Sequence, residues 1–155
     1  MNKKLGFLFL LFFLFACGKT DKNVQPLKLA DFYFFTLKEG KEMKITGEEF
    51  TQGQVVKVKI FVENFGYKKT DKGYKISVME LLKIIDSEGS IVYSKVEVDQ
   101  TRVLEELNQY LIFVNTLGFS KRMPAGDYTL VFEIVDRIKK QKLKIKKKIH
   151  VKALI

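Results

Sequence analysis

The sequence predicts an all-β protein built as a two-sheet sandwich. Beyond Pro26, apolar residues recur at every second position in several stretches, the mark of half-buried strands. No stretch sustains an amphipathic helical period. Turn-forming residues separate the candidate strands at fairly regular spacing. About seven antiparallel strands are expected, all in one domain over residues 27–155.

The elements follow in order. Leu29 to Leu37 is the first candidate strand, dense in aromatics at Phe32, Tyr33, Phe34 and Phe35. Lys38 to Glu49 is charged, contains Gly40 and Gly47, and reads as a loop. Gln54 to Asn64 is the cleanest strand, with Val56, Val58, Ile60 and Val62 on one face and Lys57, Lys59 and Glu63 on the other. Asn64 to Gly73 reads as a turn region. Tyr74 to Asp86 follows as a long strand with Ile76, Val78, Leu82 and Ile84 inward. Glu80 interrupts that face, so a bulge or a change of sheet is expected beside it. Asp86-Ser87-Glu88-Gly89 turns the chain into Ile91-Val92-Tyr93. Thr101 to Gln109 fits a helical turn as well as extended chain, because Val103, Leu104 and Leu107 fall at helical spacing. Tyr110 to Leu117 reads as strand. Pro124-Ala125-Gly126-Asp127 is a turn before Tyr128 to Asp136, where Tyr128, Leu130, Phe132 and Ile134 face inward. Gln141 to Val151 is the last strand. Its apolar face is Leu143, Ile145, Ile149 and Val151, and Lys147 falls on that face as either a bulge or a charge guarding an edge.

The stretch from Leu29 to Val151 resembles the immunoglobulin-like accessory domains of bacterial surface lipoproteins. The resemblance rests on Gly126-Asp127-Tyr128-Thr129-Leu130 leading into Val135-Asp136, which is similar to their penultimate strand. It implies an immunoglobulin-like β-sandwich in which Tyr128 closes a tyrosine corner, its hydroxyl bonded to nearby backbone. The cysteine pair and tryptophan of antibody domains are absent.

The first residues form an address. Lys3 and Lys4 precede an apolar run from Leu5 to Ala16, which is shorter than the ~20 residues a membrane-spanning helix needs. Leu14-Phe15-Ala16-Cys17 resembles the lipobox of bacterial lipoproteins, although Phe15 is bulkier than the usual occupant. That resemblance implies cleavage of a signal peptide at residues 1–16 and diacylglycerol on Cys17, with palmitate-type acyl chains. Two such chains suffice for stable anchoring. Residues 17–26 then form a polar tether. The expected location is the cell envelope, outside the cytoplasm, on the outer membrane if the cell has two. Cys17 is the single cysteine, so no intramolecular disulfide can form.

The whole chain carries a net charge of +10, or +8 once Lys3 and Lys4 leave with the leader. In an exported protein this favours anionic lipid, lipopolysaccharide phosphate, a cell-wall polymer or an acidic protein as partner, and not nucleic acid. The basic residues cluster. Arg137, Lys139, Lys140, Lys142, Lys144, Lys146, Lys147 and Lys148 place eight positive charges in twelve residues. Lys142, Lys144, Lys146 and Lys148 share one strand face, which reads either as a solvated, guarded edge or as a stripe about 20 Å long for a polyanion. In immunoglobulin order, the loop Asn64 to Gly73 and the loop Arg137 to Lys140 lie at one end of the sandwich, where the first strand also begins. Lys68, Lys69, Lys72, Arg137, Lys139 and Lys140 are then the expected contacts to an anionic surface.

Little supports catalysis. His150, the only histidine, is expected as a solvated strand residue. Asp86 with Glu88 makes a turn more readily than a calcium site, which wants about six or more oxygens. Glu105 and Glu106 diverge on any helical turn. No nucleotide-binding, nucleophile-elbow or zinc motif occurs. The expectation is a non-enzymatic interaction or structural module without cofactor or metal, with binding of an anionic envelope component as the alternative.

Overall fold

The computed structural model describes residues 25–155. The leader, Cys17 and most of the tether lie outside the described residues.

Alternation dictates the core. The long strands are β1 (Lys28–Lys38), β4 (Val55–Glu63), β6 (Gly73–Asp86), β7 (Ile91–Leu104), β8 (Leu111–Gly118), β9 (Gly126–Asp136) and β10 (Gln141–Lys152). Three short strands are added: β2 (Lys41–Ile45), β3 (Glu49–Thr51) and β5 (Lys68–Thr70). One sheet runs β2-β1-β4-β8. The other runs β3-β10-β9-β6-β5, with β7 paired to β6. Because β9 and β7 pair over the same stretch of β6, they lie on its two opposite edges, and β7 is an outer strand. Val56, Val58, Ile60 and Val62 of the first sheet meet Ile76, Val78, Leu82, Leu130, Phe132 and Ile134 of the second in one buried cluster. The result is an all-β, immunoglobulin-like sandwich.

Several local expectations are corrected. Lys38 to Glu49 is not all loop: Glu39 (φ 51°) and Gly40 (φ 75°) both take left-handed geometry and fold β2 back on β1 in a two-residue hairpin. Thr101 to Leu104 is strand, because β7 pairs with β6 as far as Tyr74↔Leu104 and the ladder outweighs local helical spacing. The strands are not all antiparallel. β3 pairs with the end of β10 in parallel. The bulge expected at Glu80 is present in its partner strand, where the register slips between Glu80 and Leu81 and Glu97 of β7 is the extra residue. Lys147 lies in unbroken register with β9, so it is an inward edge charge and not a bulge. Its Nζ sits 5.0 Å from the centre of the Phe32 ring.

Tyr128 closes the corner as expected. Its hydroxyl donates to the carbonyl of Pro124 at 2.7 Å.

Candidate functional site

The topology brings three segments to one end of the sandwich. The loop after β4, the turn between β9 and β10, and the chain entering β1 meet there. Asp136, fully buried at the end of β9, organises the meeting. Its carboxylate accepts from the backbone of Ile138 at 2.8 Å, of Lys139 at 3.0 Å, and of Gly66 across the loop. Gly66 lies too close for a side chain, since a Cβ there would fall 2.8 Å from Lys139 Cγ and 2.9 Å from Ile138 Cβ. Sequence reasoning missed Asp136, though an Asp closing a strand before a lysine-rich turn is a recognisable turn-fixing signal.

Lys139 joins all three segments. Its ammonium donates to the carbonyl of Asn64 at 2.9 Å and of Gln25 at 3.4 Å. Asn64 in turn donates to the carbonyl of Pro26 at 3.2 Å, and Leu27 N–H donates to the Gln141 side chain at 2.7 Å. The entering chain is thus pinned beside the basic loops.

The expected contact residues divide into two groups here. Lys68 and Lys69 on β5, Lys72 in the following turn and Lys140 in the β9–β10 turn are exposed and form no ion pair among the described residues. Arg137 is committed elsewhere: its guanidinium grips Asp99 of β7 with two hydrogen bonds, at 2.6 and 3.0 Å. That pairing holds Asp99 below, and Arg137 above, the usual range. Lys139 is a structural clasp, not a free cation.

The stripe on β10 is real but partly neutralised. Lys142, Lys144, Lys146 and Lys148 all point outward. Glu133 on β9 takes Lys142 at 2.5 Å, Lys83 at 3.2 Å and Lys144 at 3.7 Å. The Lys142 hydrogen bond leads in holding the Glu133 carboxyl down at about 2. Lys146 and Lys148 make no ion pair among the described residues. Lys146 stands opposite Val131, a valine on the outer face that is nonetheless only 1% exposed. Lysine stems arranged this way shield it while their heads stay in water.

At the far end of the sandwich Glu48, Glu49, Asp86 and Asp127, with Lys148 and His150, line a cavity of about 510 Å³. His150 Nδ1 lies 2.7 Å from Asp127, and Lys152 pairs with Glu49 at 2.5 Å. The Asp86 carboxylate is occupied in its own turn, accepting from Glu88 and Ser90 N–H. Strand length separates the two ends by roughly 33 Å. Among the described residues no three His, Cys, Asp or Glu side chains are grouped to hold a metal ion.

No family model and no curated protein matches the chain. Solved structures do. The C-terminal domain of Wzt is similar with a TM-score of 0.53 and 15% identity, over 84% of this chain and 77% of that one. Spo0M, a sporulation control protein from Bacillus subtilis, is similar with a TM-score of 0.51 and 12% identity, over 84% of this chain and 51% of that one. An immunoglobulin-like protein from Pseudomonas aeruginosa aligns over 84% of this chain and 99% of its own, with a TM-score of 0.47 and 10% identity. At such identities the first two likenesses speak to the fold alone.

Proposed function

We propose that the protein is a lipid-anchored, non-enzymatic envelope module, held through Cys17, whose basic end rests on an anionic membrane surface. One observation carries the reading: the chain leading back to Cys17 enters β1 at the end that carries Lys68, Lys69, Lys72 and Lys140, clasped there by Lys139. From Gln25 back to Cys17 the tether is eight residues, with a reach of at most about 28 Å. The domain therefore stays near the bilayer it is anchored to.

Each exposed lysine contributes up to about 1 kcal/mol at an anionic surface. Reversing all of Lys68, Lys69, Lys72 and Lys140 to glutamate is therefore expected to weaken binding of residues 18–155, without leader or lipid, to anionic vesicles by more than about tenfold, and raising salt should have the same sense. Equal binding to anionic and neutral vesicles would sink the reading. Capture of a polyanion by the β10 stripe is the second reading, favoured by the outward Lys146 and Lys148. It predicts that Lys146→Glu with Lys148→Glu removes polyanion binding while leaving vesicle binding intact.

A further inference from the structure

Strand register sets the outward side chains of the second sheet in rows that cross four strands. Lys142, Val135, Met79 and Asp99 form one row, running from β10 through β9 and β6 to β7. The next is Lys144, Glu133, Leu81 and Val96. Then come Lys146, Val131, Lys83 and Ser94, and last Lys148, Thr129, Ile85 and Ile91. Past the end of β9, Lys68 of β5 and Val103 of β7 flank Lys75 of β6.

This outer face is basic along its whole length. Its strands carry seven lysines against two carboxylates, Glu133 and Asp99, while Arg137 and Asp127 at its corners cancel, so the count is 7 − 2 = +5. Glu97 does not join it, being bonded to Tyr93 and Lys95 on the core side of β7. The outer face of the first sheet differs. There Lys28, Lys44 and Lys59 pair with Glu63, Asp31 and Glu42, and Lys57 makes the count 4 − 3 = +1.

The basic face is also graded. β10 presents lysines, whereas the β6–β7 side presents Met79, Leu81, Val96, Val103 and Ile91. Val96 and Val103 are each 47% exposed and Ile91 57%. A soluble polyanion would gain nothing from that apolar half. An anionic bilayer uses both halves: its phosphates meet the lysine heads, and apolar side chains of a basic amphipathic surface settle about 5–10 Å into the headgroup–acyl boundary. The entering chain reaches the same face, because Leu27 N–H donates to Gln141 at the start of β10 at 2.7 Å.

We propose that the outer face of the second sheet is the membrane-contact face, so that the domain lies along an anionic bilayer on β10, β9, β6 and β7. The inference rests on the anchored reading above. It extends the contact from the basic end, with which this face shares Lys68, down the length of the sheet.

The chain contains no tryptophan, so a single introduced one reports alone. The full lipidated chain carrying Val96→Trp or Ile91→Trp is reconstituted into vesicles of anionic phospholipid with brominated acyl chains. Ile91 lies roughly 40 Å along β7 from Leu104, so a domain standing on its basic end would hold it clear of the lipid. Emission from each reporter should fall at least about twofold in anionic vesicles and recover in zwitterionic ones. Val114→Trp, on the outer face of the first sheet, should stay bright in both. Circular dichroism checks that each variant folds, and either reporter on β7 suffices for the test. Vesicle-bound protein with both β7 reporters unquenched overturns the proposal and leaves end-on contact standing. Equal quenching of Val114→Trp, or equal quenching in zwitterionic vesicles, overturns it too. Failure of the chain to float with any vesicle defeats the anchored reading itself, and the proposal with it. An emission shift of Val96→Trp on adding inorganic polyphosphate, without quenching by lipid, overturns it and names a soluble polyanion as the occupant.

Discussion

Glu80 offers the sharpest test of the sandwich interior. It is fully buried on β6, with Oε1 accepting from Asn115 Nδ2 of the facing sheet at 2.8 Å and Oε2 without a partner among the described residues. Burial raises its pKa to about 7 against the opposing Asn115 hydrogen bond, and Glu97 pushes the same way as burial. The unfolded chain ionises it near 4.5. Between those values the folded state holds the proton and the unfolded state releases it, so stability is full below about 4.5 and falls as pH rises toward 7. At 1.36 kcal/mol per pH unit the loss amounts to about 3 kcal/mol. The Glu80→Gln variant cannot ionise. Urea unfolding of both proteins across this range, with ΔG by linear extrapolation, isolates the effect, because every other titrating group cancels in the difference. The stability of the variant relative to the parent should climb by about 3 kcal/mol from pH 4.5 to 8.5. A flat difference would refute the argument that burial keeps this carboxyl neutral. Asn115→Ala should displace the parent's transition to higher pH, since it removes the one donor that favours the carboxylate.

Other expectations follow from the same geometry. Gly66→Ala forces a Cβ against Lys139 and Ile138 and should cost about 1–3 kcal/mol, read as a lower midpoint in thermal melts. Glu133→Gln removes a carboxylate held at about 2, so it should destabilise at pH 7 and cease to matter as pH falls through about 2, the parent's own advantage being lost there. Lys147→Val takes away the inward edge charge, and light scattering should show faster self-association at unchanged secondary structure by circular dichroism.

Much of the fold was legible because the signals are local. Val56, Val58, Ile60 and Val62 alternate, and alternation alone assigns them inward. Tyr128 after a Pro-Ala-Gly-Asp turn announces its corner bond to Pro124, four residues away. The β2 hairpin was missed because its signal, Glu39-Gly40, sits among charges that resemble a loop. The end of β7 was missed because a ladder partner, Tyr74 opposite Leu104, is thirty residues distant and invisible to a local pattern. At the basic end, composition showed which lysines cluster but not which were spoken for. Arg137 belongs to Asp99, Lys139 to the entering chain, and Lys142 and Lys144 to Glu133.

By itself the sequence determined most of the long strands, their inward faces, and the resemblance of the leader to a lipoprotein signal. Those depend on side-chain period and nearest neighbours along the chain. Only the tertiary structure decided which charges are paired among the described residues and that Glu80 meets Asn115 across the two sheets. Each of these depends on residues distant in sequence meeting at hydrogen-bond range. Such encounters are fixed by how the sheets stack.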